Sequence, residues 1–259
     1  MQTISIFGCG WLGEPLAEYL LSKGFTIKGS TTTVDKIASL KEKGITPYLM
    51  RLDNLSEADF SFFDTDILIV NIPSKDYIGF KSLTNIIEGS NIKKVLFVSS
   101  TSVYKDNNSL IFEHTLDSYS DSPLLEIEDL FTAIQKVDTT ILRFGGLFGG
   151  RRKPGNFFSA GYKVSQPDAH VNMIHLDDCI EIIYQIIDKN SWNQTYNACA
   201  DLHPTKRMFY TKATEIVGKP APNFIENEPI SFKIISNDKI KKSLNYKFKH
   251  EDIIEALEL

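Results

Sequence analysis

The sequence predicts an α/β protein, a doubly wound parallel Rossmann sheet carrying a small C-terminal lobe on its substrate side. Three observations predict it. A short β-type run, Thr3 to Phe7, enters a glycine-rich turn that opens an amphipathic helix. Strand and helix patterns then alternate as far as Leu142. Two of the strands, Asp66–Asn71 and Val95–Ser99, are continuous apolar runs of the kind buried on both faces of a parallel sheet.

The first strand runs into Gly8-Cys9-Gly10-Trp11-Leu12-Gly13, which matches G-x-G-x-x-G. Leu12, Leu16, Ala17 and Leu20 line one face of the helix that follows, Gly24 stops it, and Phe25 to Lys28 forms the second strand. Alone, the glycine pattern says little; inside a βαβ unit it is a dinucleotide fingerprint. Gly8 permits the tight turn, Gly10 lets the backbone approach a pyrophosphate, and Gly13 lets helix and strand pack closely. The helix start presents free N–H groups and a partial positive charge to phosphates. Gly8, Gly10, Trp11, Leu12 and Gly13 are therefore candidate cofactor contacts.

A helix over Val34 to Lys43 ends at Gly44, and Ile45 to Leu52 reads as the third strand. The fourth and fifth strands are the two apolar runs, and Thr139 to Leu142 is the sixth. Helices fill the gaps at Thr84 to Glu88 and Leu124 to Gln135. From Gly145 the texture changes to a glycine-rich and basic loop through Arg151, Arg152 and Lys153. A helix (Leu176 to Ile187), a short strand (Thr195 to Asn197), a second helix (Thr205 to Val217) and a proline-rich turn at Pro220 and Pro222 follow. Residues 1–145 are read as an NAD(P)-binding Rossmann domain, and 146–259 as a reduced substrate lobe interleaved with the end of that fold.

A chain of 259 residues, 42% hydrophobic and 24% charged, is ordinary for a globular protein. A net charge of −5 with no basic block argues against a nucleic-acid or anionic-membrane surface. No apolar run approaches a membrane span, and no basic, cleavable leader precedes the first strand. Cys9, Cys179 and Cys199 are odd in number and lack metal-ligand spacing, so they read as buried apolar groups in a reducing, cytoplasmic setting. His175, Asp177 and Asp178 share one local turn without a distant partner, and no metal is expected there.

Several segments together resemble the extended short-chain dehydrogenases/reductases of the NAD-dependent epimerase/dehydratase superfamily, and more narrowly their atypical YeeZ-like group. They are GCGWLG, GSTTT, NIP, VSSTSVY, LRFGGLFGGRRKPGNFF, VNMIHLDD and TYNACADLHPTKRMFY, with a tail over Lys233 to Lys247 like the epimerases' closing strand-helix-strand. The resemblance covers nearly the whole chain and implies a Rossmann sheet, a nicotinamide cofactor and a substrate cleft between sheet and C-terminal lobe. It places a catalytic Ser or Thr at Ser100, four residues before Tyr104, although a serine paired to backbone at a strand end fits equally well. It makes Asp53 an adenine contact, a position that a plain surface carboxylate also explains, and has Asn71, Ile72 and Pro73 wall the cofactor cleft.

Two features depart from the family. The chain is short beside nucleotide-sugar epimerases, which leaves the fit of a nucleotide sugar open. The family's Tyr-x-x-x-Lys motif is also missing: Tyr119 falls in its slot, but no lysine occurs between Lys105 and Lys136. Tyr77-Ile-Gly-Phe-Lys81 matches by letter and is read as coincidence, since it precedes the Ser99-Ser100 strand. Without an adjacent ammonium a phenol is a weak base at neutral pH, so Tyr119 is expected to serve only as a proton donor.

The second strand ends in Gly29-Ser30-Thr31-Thr32-Thr33, with no acid before Asp35 and with Lys36 in the next turn. An acid at that strand end would accept from a ribose 2′-OH and repel a 2′-phosphate. Ser30, Thr31, Thr32 and Lys36 therefore favour NADP, with NAD possible and no arginine in the segment to act as a clamp. The threonines also suit the cap of the second helix. Arg151 and Arg152 either bind an anionic substrate group or belong to a solvated loop. The expected function is NADPH-dependent reduction of a small carbonyl substrate, anionic or neutral, with a non-catalytic NADP(H) sensor or scaffold as the alternative. Oligomeric state is not legible in the sequence.

Overall fold

β1 (Thr3–Phe7) lies inside a seven-stranded sheet in the computed structural model, which describes residues 2–159 and 161–259. In chain order it is followed by α1 (Gly13–Ser22), β2 (Thr26–Thr31), α2 (Lys36–Glu42), β3 (Thr46–Leu49), β4 (Ile67–Val70), α3 (Tyr77–Gly89) and β5 (Lys94–Ser100). Next come β6 (Ser109–Ile111), α4 (Pro123–Thr132), β7 (Asp138–Phe144), β8 (Gly146–Phe148), β9 (Lys163–Val164) and β10 (Met173–His175). The chain closes with α5 (Leu176–Asp188), β11 (Thr195–Ala198), α6 (Lys206–Ile216), β12 (Asn223–Phe224), β13 (Lys233–Ile235) and α7 (Asp238–Ser243).

The sheet is parallel, in the order β11-β7-β5-β4-β1-β2-β3. From β1 the chain builds outward through β2 and β3, then returns to the other side of β1 with β4. Ile4 accordingly pairs with Ile27 on one side and Ile67 on the other. This reversal opens a crevice at the C-terminal ends of β1 and β4, where open α/β sheets bind ligands. The apolar strand runs are what bury the sheet: Ile67, Leu68, Ile69 and Val70 are all 1% exposed or less.

The chain divides into two compact units. Met1–Ser99, Asp121–Leu142 and Ile183–Thr195 make the first. Its core joins α3, β5 and α4, where Phe97 and Phe131 stack at 4.6 Å and Phe80 meets them edge-on at 5.6 and 5.9 Å. Ser100–Ser120, Arg143–Ile182 and Tyr196–Leu259 make the second, with a core around Phe148, Met173, Phe209, Ile253 and Leu257. Three short parallel pairs, β8 with β10, β9 with β12 and β6 with β13, tie its segments together. Among the described residues no helix is long and apolar enough to cross a membrane.

Local chemistry moves several predicted boundaries. α3 starts at Tyr77 instead of Thr84 because the Asp76 carboxylate accepts the Gly79 N–H at 3.0 Å and caps it. The expected strand over Ile45 to Leu52 stops at Leu49, and Leu52–Glu57 is a 3₁₀ turn. Neither Thr32 nor Thr33 caps α2, whose N-cap is Asp35; the Thr31 hydroxyl instead accepts the Thr33 N–H at 3.1 Å. The closing strand expected in the tail is absent among the described residues. After α7, Asn245 turns the chain with φ of 43°, and the backbone N–H groups of Lys249 and His250 go to the buried Asp178 carboxylate at 2.7 and 3.1 Å.

Candidate dinucleotide cleft and catalytic cluster

The glycine turn is built by neighbours on β2 and β4. The Gly8 N–H donates to the Ser30 hydroxyl at 2.9 Å, and the Gly8 carbonyl accepts from the Asn71 side-chain amide at 3.2 Å. Gly8 has φ of 112°, and a Cβ there would fall on the Asn71 carbonyl oxygen. A Cβ on Gly13 would strike the Gly8 carbonyl, which is the close helix–strand approach expected of the third glycine. At Gly10 a Cβ would meet nothing within 4 Å. The backbone there faces open space, and α1 begins without a side-chain cap. An unobstructed glycine at the uncapped start of a helix fits a pyrophosphate.

A cleft of about 520 Å³ opens at this turn, all within the first unit. It gathers Gly8, Gly10, Ser30, Thr31, Thr32, Lys36, Asp53, Asn71, Ile72 and Pro73 from the sequence-predicted set. Trp11, Leu12 and Gly13 are not on its wall; Leu12 is 3% exposed and packs into the core. The Ser30 hydroxyl is buried and holds the turn. Lys36 Nζ sits 3.4 Å from the Cys9 carbonyl and 3.4 Å from a Glu14 carboxylate oxygen. Glu14 also pairs with Lys43, whose hydrogen bond lowers its pKa. Burial pushes the Cys9 thiol up to about 12, so it stays protonated.

Arg51 is a cleft residue that sequence reasoning missed. Its Nε and Nη2 donate to the two Asp53 carboxylate oxygens at 2.9 and 2.8 Å. The guanidinium holds the Asp53 carboxyl below the usual carboxylate range. Its position two residues before the expected adenine contact is a slight sequence signal, and the pairing of β3 with β2 is what brings it to the cleft.

The candidate catalytic residues Ser100 and Tyr119 both lie in the second unit. Ser100 ends β5, and its hydroxyl accepts the Ser102 N–H at 3.1 Å. Tyr119 stacks on Tyr104 with ring centroids 5.5 Å apart. Arg143, 4% exposed on β7, donates through Nη1 to both hydroxyls, at 2.6 Å to Tyr104 and 3.0 Å to Tyr119. The Tyr104 hydroxyl donates in turn to Asn197 Oδ1 at 2.9 Å, and that of Tyr119 to the Glu113 carbonyl at 3.2 Å. Burial raises the Tyr104 phenol to about 12 against the opposing pull of Arg143. A lone arginine in the otherwise uncharged run Thr139 to Phe144 was the sequence signal for this cluster.

α4, the helix that the Tyr-x-x-x-Lys motif would enter, carries neither tyrosine nor lysine. Its Glu128 is buried and accepts the Ser99 hydroxyl at 2.5 Å. Tyr77 and Lys81 sit exposed on α3. Arg151 is exposed, while Arg152 donates from Nε to the Leu147 carbonyl at 2.8 Å and lies over the Phe157 ring. The distant partner that His175 and Asp177 lacked in the sequence is His250, whose Nε2 is 3.2 Å from Asp177 Oδ2. His175 Nδ1 is 3.5 Å from the same oxygen.

A parallel sheet whose strand order reverses beside a glycine-rich turn defines an NAD-binding Rossmann protein. The family profile described as the NAD binding domain of 6-phosphogluconate dehydrogenase matches residues 3–116. Among solved structures, a functionally unknown conserved protein from Silicibacter pomeroyi superposes with a TM-score of 0.83 at 20% identity, covering 100% of this chain and 97% of that one. A UDP-glucuronic acid 4-epimerase from Bacillus cereus, in complex with UDP-glucuronic acid and NAD, does so with a TM-score of 0.80 at 19% identity, covering 99% and 96%. Protein YeeZ of Escherichia coli (strain K12) is 30% identical over 268 residues, which cover 97% of each chain. The chain belongs to the YeeZ family.

Proposed function

We propose that this protein binds NADP(H) and uses it to reduce a small carbonyl compound. The observation that carries this function is the cleft at the ends of β1 and β4, with open space at Gly10 and an uncapped α1 N-terminus. The absence of an acid over Ser30 to Thr33, with Lys36 nearby, supports the phosphorylated cofactor over NAD. The nicotinamide supplies the hydride. The chain's own groups bind the carbonyl oxygen and deliver its proton, the roles proposed for Ser100 and Tyr119. Arg151 and Arg152 are proposed to take an anionic substrate group. Three buried, unpaired thiols suit a reducing, cytoplasmic setting.

A second function, a non-catalytic NADP(H) sensor or scaffold, is favoured by α4, which has no lysine to support a phenolate. One experiment separates the two. Cofactor binding is measured by calorimetry, and a panel of aldehydes, ketones and keto-acids is then followed by absorbance at saturating NADPH. Turnover of any member supports the enzyme. Tight NADPH binding with no turnover supports the sensor, and binding of neither cofactor removes both.

A further inference from the structure

We infer that Arg51 is the residue that reads the 2′-phosphate of NADP(H), with Asp53 fixing the direction of its guanidinium. This rests on the proposed use of NADP(H) and goes beyond it by naming the discriminating group.

The two nicotinamide cofactors differ by one phosphate on the adenosine ribose. A site that prefers the phosphorylated form must place no carboxylate against the 2′-oxygen, and it gains most from a planar fork of donors. The sheet builds such a place. β3 runs parallel to β2 with Ser30 opposite Tyr48 and Thr31 opposite Leu49, and the Met50 N–H then donates to the Thr31 carbonyl at 3.0 Å. That last bond carries the chain one residue beyond the paired strand. Arg51 therefore leaves β3 alongside the Thr31-Thr32-Thr33 end of β2, and all four residues line the same cleft.

Arg51 is extended at its own backbone (φ −131°, ψ 141°) and exposed, and its side chain is held at one edge only. Asp53 takes Nε and one hydrogen of Nη2. Nη1 and the outer hydrogen of Nη2 are left on the adjacent terminal edge, the pair of parallel donors that a phosphate accepts. A fork pinned by a neighbouring carboxylate loses less rotamer freedom on binding than a free arginine would.

Lys36 is less suited to this task. Its ammonium is turned toward the glycine turn, at the Cys9 carbonyl, and lies against the Glu14 carboxylate. Both cations face a carboxylate, Lys36 that of Glu14 and Arg51 that of Asp53, but Lys36 is a point charge that does not select planar geometry. It fits a general attraction for phosphates at the turn, common to both cofactors.

The test is calorimetry at fixed ionic strength with four probes: NADPH, NADH, adenosine 2′,5′-bisphosphate and AMP. The parent should bind NADPH more tightly than NADH, and the bisphosphate more tightly than AMP. Arg51→Ala should weaken NADPH and the bisphosphate by about tenfold to a hundredfold, the range for hydrogen bonds to charged groups. NADH and AMP should stay within about twofold, which also shows that the variant is folded. Arg51→Lys should recover only part of the loss, since it restores the charge without the fork. If Arg51→Ala weakens both cofactors alike, or neither, in a parent that prefers NADPH, Arg51 is not the discriminating residue while NADP(H) use stands. A parent that prefers NADH overturns both, and a parent that binds none of the four overturns the dinucleotide cleft itself.

Discussion

Arg143 Nη1 donates to the Tyr119 hydroxyl at 3.0 Å, so the tyrosine in the slot of the missing motif is accompanied by a buried guanidinium instead of a lysine ammonium. The same hydroxyl directs its own hydrogen to the Glu113 carbonyl, a bond that must break before the proton can pass to a substrate.

Reduction with NADPH should therefore outpace oxidation with NADP⁺ at neutral pH. Hydride delivery to a carbonyl leaves an alkoxide that needs a proton, help worth about 10²–10⁴-fold when it comes from a placed acid. Tyr119 carries a hydrogen it can give, whereas in the oxidative direction it must first lose the one directed at the Glu113 carbonyl. Tyr119→Phe should lower the reductive rate less than Ser100→Ala does. Rapid oxidation at pH 7 that survives in Ser100→Ala would show that neither residue holds the assigned role.

The glycine turn gives a sharper contrast, between two glycines three residues apart. Gly10→Val adds its side chain to open space, so the ligand-free protein should melt near the parent temperature. It should nevertheless lose the stabilisation by NADPH, which at a hundredfold over Kd is about 2.7 kcal/mol. That corresponds to several degrees, at about 2–4 °C per kcal/mol for chains near this size. Gly13→Ala should instead lower the melting temperature without any ligand, because its Cβ strikes the Gly8 carbonyl. Equal ligand-free stabilities would contradict the packing assigned to Gly13.

How much of this was legible follows from the range of each interaction. The glycine turn, β1 and α1 could be read because φ at Gly8 and the clearance at Gly13 are local demands that only glycine meets. The lone Arg143 of its strand stands out in the sequence, but its cluster does not, since the partners Tyr104 and Tyr119 lie 39 and 24 residues away along the chain. Arg51 was hidden for a similar reason: what brings it to the cleft is the pairing of β3 with β2, not its place in a motif. The tail shows the opposite error. The resemblance predicts a closing strand before Lys247, but the Leu244 and Tyr246 N–H groups turn back to the Ile240 and Lys241 carbonyls and Asn245 has φ of 43°.

Asp178 is fully buried and accepts from the Tyr246 hydroxyl at 2.6 Å besides the Lys249 and His250 N–H groups. Asp178→Ala leaves those three donors unanswered, each at about 1–3 kcal/mol if it stays out of water. The variant should be destabilised by several kcal/mol in urea unfolding. Residues 245–250 should also become accessible to limited proteolysis before the rest of the chain. Cleavage elsewhere first, with the tail still protected, would show that the tail is held by its apolar contacts.

His175 is 4% exposed and its pKa is lowered, first by burial and then by His250, while Asp177 and Asp178 pull the other way. His203 is lowered too, chiefly by burial. In the unfolded chain a histidine titrates near pH 6.5. Between that value and the lower folded one, the unfolded state binds more protons than the native state. Stability contributed by neutral His175 is thus fully present above the unfolded pKa and is lost as pH falls toward the folded one. The melting temperature should drop from about pH 7 to pH 5. His175→Gln should flatten part of that slope, leaving the share due to His203. Glutamine carries no titrating ring, and the Nε2 it replaces has no hydrogen-bond partner to lose. Parallel melting curves for parent and variant across that range would mean that His175 keeps its ordinary proton affinity in the folded protein.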